Sequence, residues 1–402
     1  MKSLKELVNI RSLIFIFLIH FVTGCSLYID REETESQLQL NKTSYHVLPG
    51  WHDDEHGHAL RAFSKSCLII LKYNGDNPIG GQIPGFAESW FEPCKAAIKI
   101  DIKNSHDAKA FFEKWFTPYL VSHNDIYKGL FTGYFEPEIL GSMISSAEFG
   151  EPIYKLPVNL ITANSKDFDT KVSNTKIVGR IKNSKFLPYY TRKEINVGIS
   201  ELKGQELVWV KDPIDVLFLH IQGSGRILFE DGSSKSIGYA GSNGHPYYAI
   251  GRSLVTRGEV PKNEISMQRI RKWLLDNPNL SQALINENKS YIFFKWNDKN
   301  DELSGPIGSL GIPLTAGRSL AVDRQFLALG VPIWLETEIP QPNLNKKIKI
   351  NRLVIAQDTG SAIKGPIRGD LFIGTGVDSG AIAGLMKESG RYWVLLPKQL
   401  MP

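Results

Sequence analysis

"VIAQDTGSAIKGPIRGDLFIGTGVDSG", from Val354 to Gly380, is a hydrophobic run that opens into glycine-rich turns and carries Asp358, Asp370 and Asp378. Asp-Thr-Gly-Ser at Asp358, followed by Asp-Ser-Gly at Asp378, has the look of an aspartic protease. Such an enzyme draws its two carboxylates from two separate lobes, so that they share one proton. Here both lie in a single segment, and no second lobe repeats the flanking strand pattern. Ser361-Ala-Ile-Lys364 matches another motif, the nucleophile of penicillin-binding enzymes, which needs serine and lysine one turn apart on a helix. Gly360 precedes it and Gly365-Pro366 follows it, so no helix is expected to run through. Asp323 in "LAVDRQFLALGVPIW", Asp358 and Asp370 instead form a set in which each stands where a β-like run meets a turn. Carboxylates at strand ends beside glycine-rich loops are well placed to line a groove. A turn aspartate bonding nearby N–H groups is the competing role, and for Asp323 both readings stand open.

Outward from this segment the texture is β. "KGLFTGYFEPEILG", "PIYKLPVNLI", "LVWVKDPIDVLFLHIQGSGRILFEDG" and "SIGYAGSNGHPYYAIG" are β-branched and aromatic runs cut by Gly, Pro and Asn turns. Phe229-Glu-Asp-Gly232 predicts a hairpin turn. "YIFFKW", "KIKINRLVIAQDTG" and "RYWVLLP" continue the pattern, and the glycines between them suit barrel corners better than flat sheets. Helices are a minority. Ala108, Phe111, Phe112, Trp115 and Phe116 share one helical face, expected to be core and to end near Pro118. Two more helices are predicted over Ile250–Arg257 and Ile265–Asn277, the second closed by Asp276-Asn-Pro.

The N-terminus speaks to compartment. Lys2, Lys5 and Arg11 precede an apolar stretch from Leu13 to Val22 that stops at Thr23-Gly24. That stretch is short of the roughly 20 apolar residues a spanning helix needs. Val22-Thr23-Gly24-Cys25 resembles a bacterial lipobox, cleaved after Gly24 and lipidated on Cys25. Two or more acyl chains hold a protein at a membrane without a spanning segment. Residues 1–24 are thus read as a lipoprotein signal peptide and 25–45, rich in polar residues, as a tether. Ser26, rather than an aspartate, after the cysteine resembles lipoproteins sent to the outer membrane, which places the domain on its periplasmic face. Cys67 and Cys94 remain, either as two buried thiols or as a disulfide, which an oxidising compartment permits. No Cys/His cluster has zinc spacing, and "HDDEHGH" at His52–His58 reads as a polar segment, so no metal or other cofactor is expected. The net charge of +5 is mild, and no basic-aromatic stripe points to nucleic acid.

With these residues in view, the chain resembles the membrane-bound lytic murein transglycosylase A family. Asp323, Asp358 and Asp370 fall in the pattern of its C-terminal "3D" domain. "FTGYFEP" (Phe131–Pro137), "IQGSGRI" (Ile221–Ile227) and "GYAGSNGHPY" (Gly238–Tyr247) are similar to its other signature blocks, in the right order. Two departures are Ser361 in place of glycine and one extra residue before Asp370 relative to some members. The resemblance implies a mainly β fold. A double-psi β-barrel, formed by residues 46–137 and 299–402, is interrupted by an inserted, largely β domain of residues 138–298. The implied activity is cleavage of the peptidoglycan bond between N-acetylmuramic acid and N-acetylglucosamine without water. Asp370 is then acid and base, Asp358 and Asp323 support it, and Tyr134, Phe135, Gln222, Ser224, Tyr239 and Lys295 contact glycan. The alternative is a murein-binding lipoprotein that has lost catalysis.

Overall fold

The computed structural model describes residues 37–100, 105–167, 176–297 and 305–400. Cys25 and the predicted signal peptide lie outside them. The fold below belongs to the unit Leu38–Pro402.

The strands predicted around the glycine-rich segment close into a ring. Six strands take part: Gly129–Glu136, Ser319–Val322, Pro332–Gln341, Lys346–Asp358, Arg368–Thr375 and Lys387–Pro397. The Ser319–Val322 strand runs parallel to Lys346–Asp358 and antiparallel to Arg368–Thr375, which is in turn parallel to Gly129–Glu136. The long last strand closes the circle. Its residues 387–390 pair with Gly129–Thr132 and its residues 391–394 with Ile333–Glu336. Gly390 makes that crossing possible, because a Cβ there would lie 2.5 Å from the Glu336 carbonyl oxygen. A closed mixed ring with two parallel pairings is consistent with the double-psi arrangement.

Alternation along these strands separates core from site. Phe131, Leu320, Val322 and Leu371 enter the main hydrophobic core. Tyr134, Ala321 and Phe372, one residue out of phase, join Leu314 and Ile363 in a small separate cluster on the other face. The short Ser319–Val322 strand must therefore satisfy both faces, and all four of its residues are buried.

Helices cover one side of the ring. His56–Ile70, Phe91–Lys99 and Ser105–Trp115 pack together, with Phe63, Phe111, Phe112 and Phe116 forming an aromatic cluster. The predicted aromatic face is core, as expected, but its helix stops at Trp115. Phe116 begins the Phe116–Ser122 strand, which contains Pro118, so the residues ahead of the proline take extended backbone. That strand pairs with Gln39–Lys42, and the Tyr45 hydroxyl donates to the carbonyls of Phe112 and Phe116. The end of the expected tether is thus part of the folded body. A disulfide joins Cys67 to Cys94, across 27 positions of sequence. Closing a loop of this size stabilises by about 3–4 kcal/mol in the chain-entropy picture. Reduction, or Cys94→Ser, is expected to lower the unfolding free energy from urea denaturation by that amount; an unchanged value would mean the crosslink constrains nothing the unfolded chain explores.

Between the first and second ring strands the chain builds two further sheets. One has six strands in the order Ile292–Trp296, Ser234–Ser242, Ser224–Leu228, Glu138–Ser142, Glu206–Val210, Glu151–Tyr154. The other has three, Ile161–Asn164, Lys176–Lys182 and Lys185–Pro188. The hairpin at Phe229–Gly232 forms as predicted. One prediction fails inside this region. "PIDVLFLHIQ", expected as strand, is the helix Pro213–Gln222, capped by Asp212 on the Ile214 N–H and ended by Gly223 at φ 77°. Its apolar residues are buried on nearly all sides, which erases helical periodicity. The cap, Pro at the first position and terminal Gly were the legible signals. Similarly, Pro278 ends the Met267–Asp276 helix but also opens another, Pro278–Ile285. Gly251–Thr256 is helical as expected. Among the described residues, no helix is long and apolar enough to cross a membrane.

Candidate active site

Four side chains stand in one row on the site face of the barrel. Asp358 and Asp370 both pair with Ala321, from opposite sides, and Asp370 pairs further with Thr132. Residues paired across neighbouring strands project to the same face. With strands about 4.8 Å apart, two spacings put the backbones of the two aspartates about 10 Å apart. Ala321 between them is buried against Tyr134, Leu314, Ile363 and Phe372.

Asp370 lies two residues into its strand, not at a strand end. Thr132 Oγ1 donates to its Oδ1 at 2.5 Å, and Thr132 itself accepts from Arg368 Nη2 at 2.8 Å. The other guanidinium nitrogen of Arg368 donates to the carbonyls of Leu130 and Gly369, which fixes its plane. Burial pushes the Asp370 carboxyl up to about 6, the Thr132 hydrogen bond and the Arg368 charge hold it down, and the charge of Asp358 adds to the rise. A carboxyl so poised exchanges its proton near neutral pH.

Asp358 is differently placed. Its Oδ1 accepts from Ser309 N (2.9 Å), Ser309 Oγ (2.8 Å) and Thr359 N (2.9 Å), and its Oδ2 accepts from the Tyr134 hydroxyl (2.9 Å). Burial and the charge of Asp358 hold the Tyr134 phenol well above its ordinary range, so it stays a donor. Both carboxylate oxygens are thus engaged by fixed donors. Asp323 makes turn contacts. It accepts from Gln325 N (3.1 Å) and Gly365 N (2.9 Å), with Lys364 Nζ 3.8 Å away, and so brackets the loop between Asp358 and Asp370.

The residues expected to contact glycan separate into groups. Tyr134 belongs to the row's surroundings. Gln222 accepts from the Phe135 N–H at 3.1 Å, which ties the inserted helix to the first barrel strand. Phe135 is only 8% exposed and its ring lies where a Cβ on Gly380 would go, a placement that suits packing rather than stacking on a sugar. Tyr239, 51% exposed, and Lys295 stand on the inserted six-stranded sheet, and Ser224, Gly238 and Lys295 are paired in one row there. The described contacts bring none of Gln222, Ser224, Tyr239 or Lys295 against Asp370.

Sequence reasoning missed Thr132, Arg368, Ser309 and Glu136. Glu136 is fully buried, accepts from Thr375 Oγ1 (2.8 Å) and Ser236 Oγ (3.1 Å), and lies 3.6 Å from Arg226. Burial raises its carboxyl, and these partners oppose the rise. It joins two barrel strands to two inserted ones. Its position in "FTGYFEP" was the only available signal. Among the described residues, no group of three or more His, Cys, Asp or Glu is arranged to hold a metal.

Comparison with known proteins bears on this geometry. The profile of the "MltA specific insert domain" matches residues 130–295, and that of the "3D domain" matches residues 318–396. The chain is 34% identical, over 272 residues, to the membrane-bound lytic murein transglycosylase A of Vibrio cholerae, covering 66% of this chain and 65% of that one. The chain thus spans about two thirds of the length of the curated relatives it matches. It is similar to the crystal structure of a membrane-bound lytic murein transglycosylase from Agrobacterium tumefaciens, with TM-score 0.79 and 31% identity, over 90% of this chain and 98% of that one. It is also similar to Escherichia coli MltA with bound chitohexaose, with TM-score 0.62 and 26% identity, over 84% of this chain and 90% of that one.

Proposed function

Since this chain belongs to the membrane-bound lytic murein transglycosylase A family, we propose that it cleaves the β-1,4 bond between N-acetylmuramic acid and N-acetylglucosamine in peptidoglycan. No water is consumed and a 1,6-anhydromuramic end forms. One observation carries the single-acid mechanism: of the paired carboxylates, Asp358 has both oxygens occupied by four donors, whereas Asp370 has one hydrogen bond and a raised proton affinity. A two-carboxylate hydrolysis needs a second free group to activate water or attack carbon. Asp370 protonates the glycosidic oxygen as the bond to muramic C1 breaks. The substrate's acetamido group stabilises the positive charge that develops on C1. Asp370, now a carboxylate, takes the proton of the muramic C6 hydroxyl as that oxygen closes onto C1, and the cycle ends with Asp370 protonated again. Asp358 orients Tyr134 and Ser309 and keeps the acid's proton affinity high. The bound glycan oligomer of the Escherichia coli relative supports a glycan strand as ligand. Lipid on Cys25 would hold the domain at the periplasmic face of the outer membrane.

Mass spectrometry of the soluble products from purified peptidoglycan tests this reading. Anhydromuropeptides are expected, and kcat/KM should fall as pH rises above about 6, because the acid must enter the reaction protonated. Reducing ends would make the protein a hydrolase. Binding without release would leave the murein-binding lipoprotein.

A further inference from the structure

Ser309, which donates to Asp358, also lines a cavity of about 140 Å³. Tyr73, Gly80, Gly81, Ser309, Arg324 and Ala328 contribute to its lining. The two loops that carry Gly81 and Leu327 in its lining meet closely: Gln82 N–H donates to the Phe326 carbonyl at 2.9 Å, and a Cβ on Gly81 would sit 2.7 Å from that same oxygen. Gly81 also has φ 61°, so the approach depends on glycine twice over.

The charge of the cavity is one-sided. Arg324 is the lining's one permanently charged residue, and no acidic side chain joins it. Arg324 is exposed and has no hydrogen-bond or ion-pair partner among the described residues. Arg318, by contrast, is buried in a two-point ion pair. The amides of Gly80, Gly81 and Ala328 likewise have no acceptor among the described residues. A guanidinium and unclaimed N–H donors around a small cavity are the groups that bind a carboxylate. Ser309, which lines the cavity, turns both its N–H and O–H to Asp358.

We infer that this cavity is a subsite for a carboxylate of the peptide stem on muramic acid, and that Arg324 makes the enzyme favour stem-bearing strands. The inference rests on the proposed transglycosylase reading, which places a muramic residue at Asp370. From there Asp358 is already about 10 Å away across two strand spacings, and the cavity lined by its partner Ser309 is farther still. The lactyl group and three stem residues extend about 14 Å, at no more than 3.6 Å per unit. A carboxylate at that distance along the stem reaches the guanidinium, whereas a bare glycan strand has no group to place there.

The full chain and Arg324→Ala are assayed on glycan strands carrying their stems and on the same strands after an amidase has removed them. Loss of a charge-assisted pair should lower kcat/KM on stem-bearing strands about ten- to hundredfold, mainly through KM. Activity on stripped strands should stay within about twofold, and Arg324→Lys should recover part of the loss. Equal loss on both substrates, or no loss on either, overturns the subsite while the transglycosylase reading stands. A wild-type protein that cleaves neither substrate overturns both.

Discussion

Asp370→Asn is expected to abolish product release, by about a thousandfold or more, while leaving glycan binding intact, because the amide has the shape of the acid but no proton to give. The same substitution should stabilise the protein. Burial sets the Asp370 carboxyl at about 6 in the folded state, above the ordinary value of about 3.9 in the unfolded chain. For an acid raised on folding, the favourable contribution is present below the unfolded value and lost as pH rises through the folded one. At pH 7.5 the ionised aspartate therefore destabilises the fold, by about 2–3 kcal/mol for a shift of about two units. The asparagine variant escapes this, so its denaturation midpoint should exceed wild type at pH 7.5 and match it at pH 4. Glycan binding by pull-down, turnover, and urea unfolding at both pH values read out the three parts. Full activity in the variant would remove Asp370 from the mechanism. A stability gain that persists at pH 4 would mean that something other than the buried charge is responsible.

The second large effect concerns folding. Asp54→Ala should destabilise the protein by about 3–5 kcal/mol, the range for stranding one partner of a buried ion pair. Arg318 meets Asp54 through two bonds, Nη1 to Oδ2 at 2.7 Å and Nη2 to Oδ1 at 2.9 Å, with the two side chains 7% and 5% exposed. Asp54 also accepts from the Leu353 N–H at 3.0 Å, and Arg318 donates to the Leu353 carbonyl at 2.9 Å. The pair thus pins the segment before the first long helix to the strand that ends in Asp358. Arg318 directly precedes the strand that carries Ala321, so its loss also loosens the row of paired aspartates. The double replacement Asp54→Ala with Arg318→Met should recover much of the lost stability, since no bare charge remains buried. A single variant whose unfolding free energy in urea falls by less than about 1 kcal/mol would show the pair to be solvated. "HDDEHGH" reads in the sequence as a polar segment, and nothing local marks Asp54 as different from Asp53. The partner that buries it lies 264 positions away.

Local signals were readable where the physics is local. Strand texture, the hairpin at Phe229–Gly232 and the absence of a helix through Ser361–Lys364 all follow from residues within a few positions of one another. The helix Pro213–Gln222 was misread because burial on nearly all sides makes a helix as uniformly apolar as a strand. The glycan contacts fared less evenly: Tyr134 stands at the row, while Phe135 is packed beneath Gly380.

The chain by itself determined the mainly β class, the family resemblance and the three candidate aspartates, because turn chemistry, alternation and motif order are written in neighbouring residues. Only the tertiary structure decided how those aspartates differ. Asp323 brackets a loop and Asp358 is saturated with donors, whereas Asp370 is left with one hydroxyl and a raised proton affinity. Strand pairing brings Thr132 to Asp370 across 238 positions and loop closure brings Gly365 to Asp323 and Ser309 to Asp358, while desolvation, which sets the acid, is a property of the whole surrounding fold.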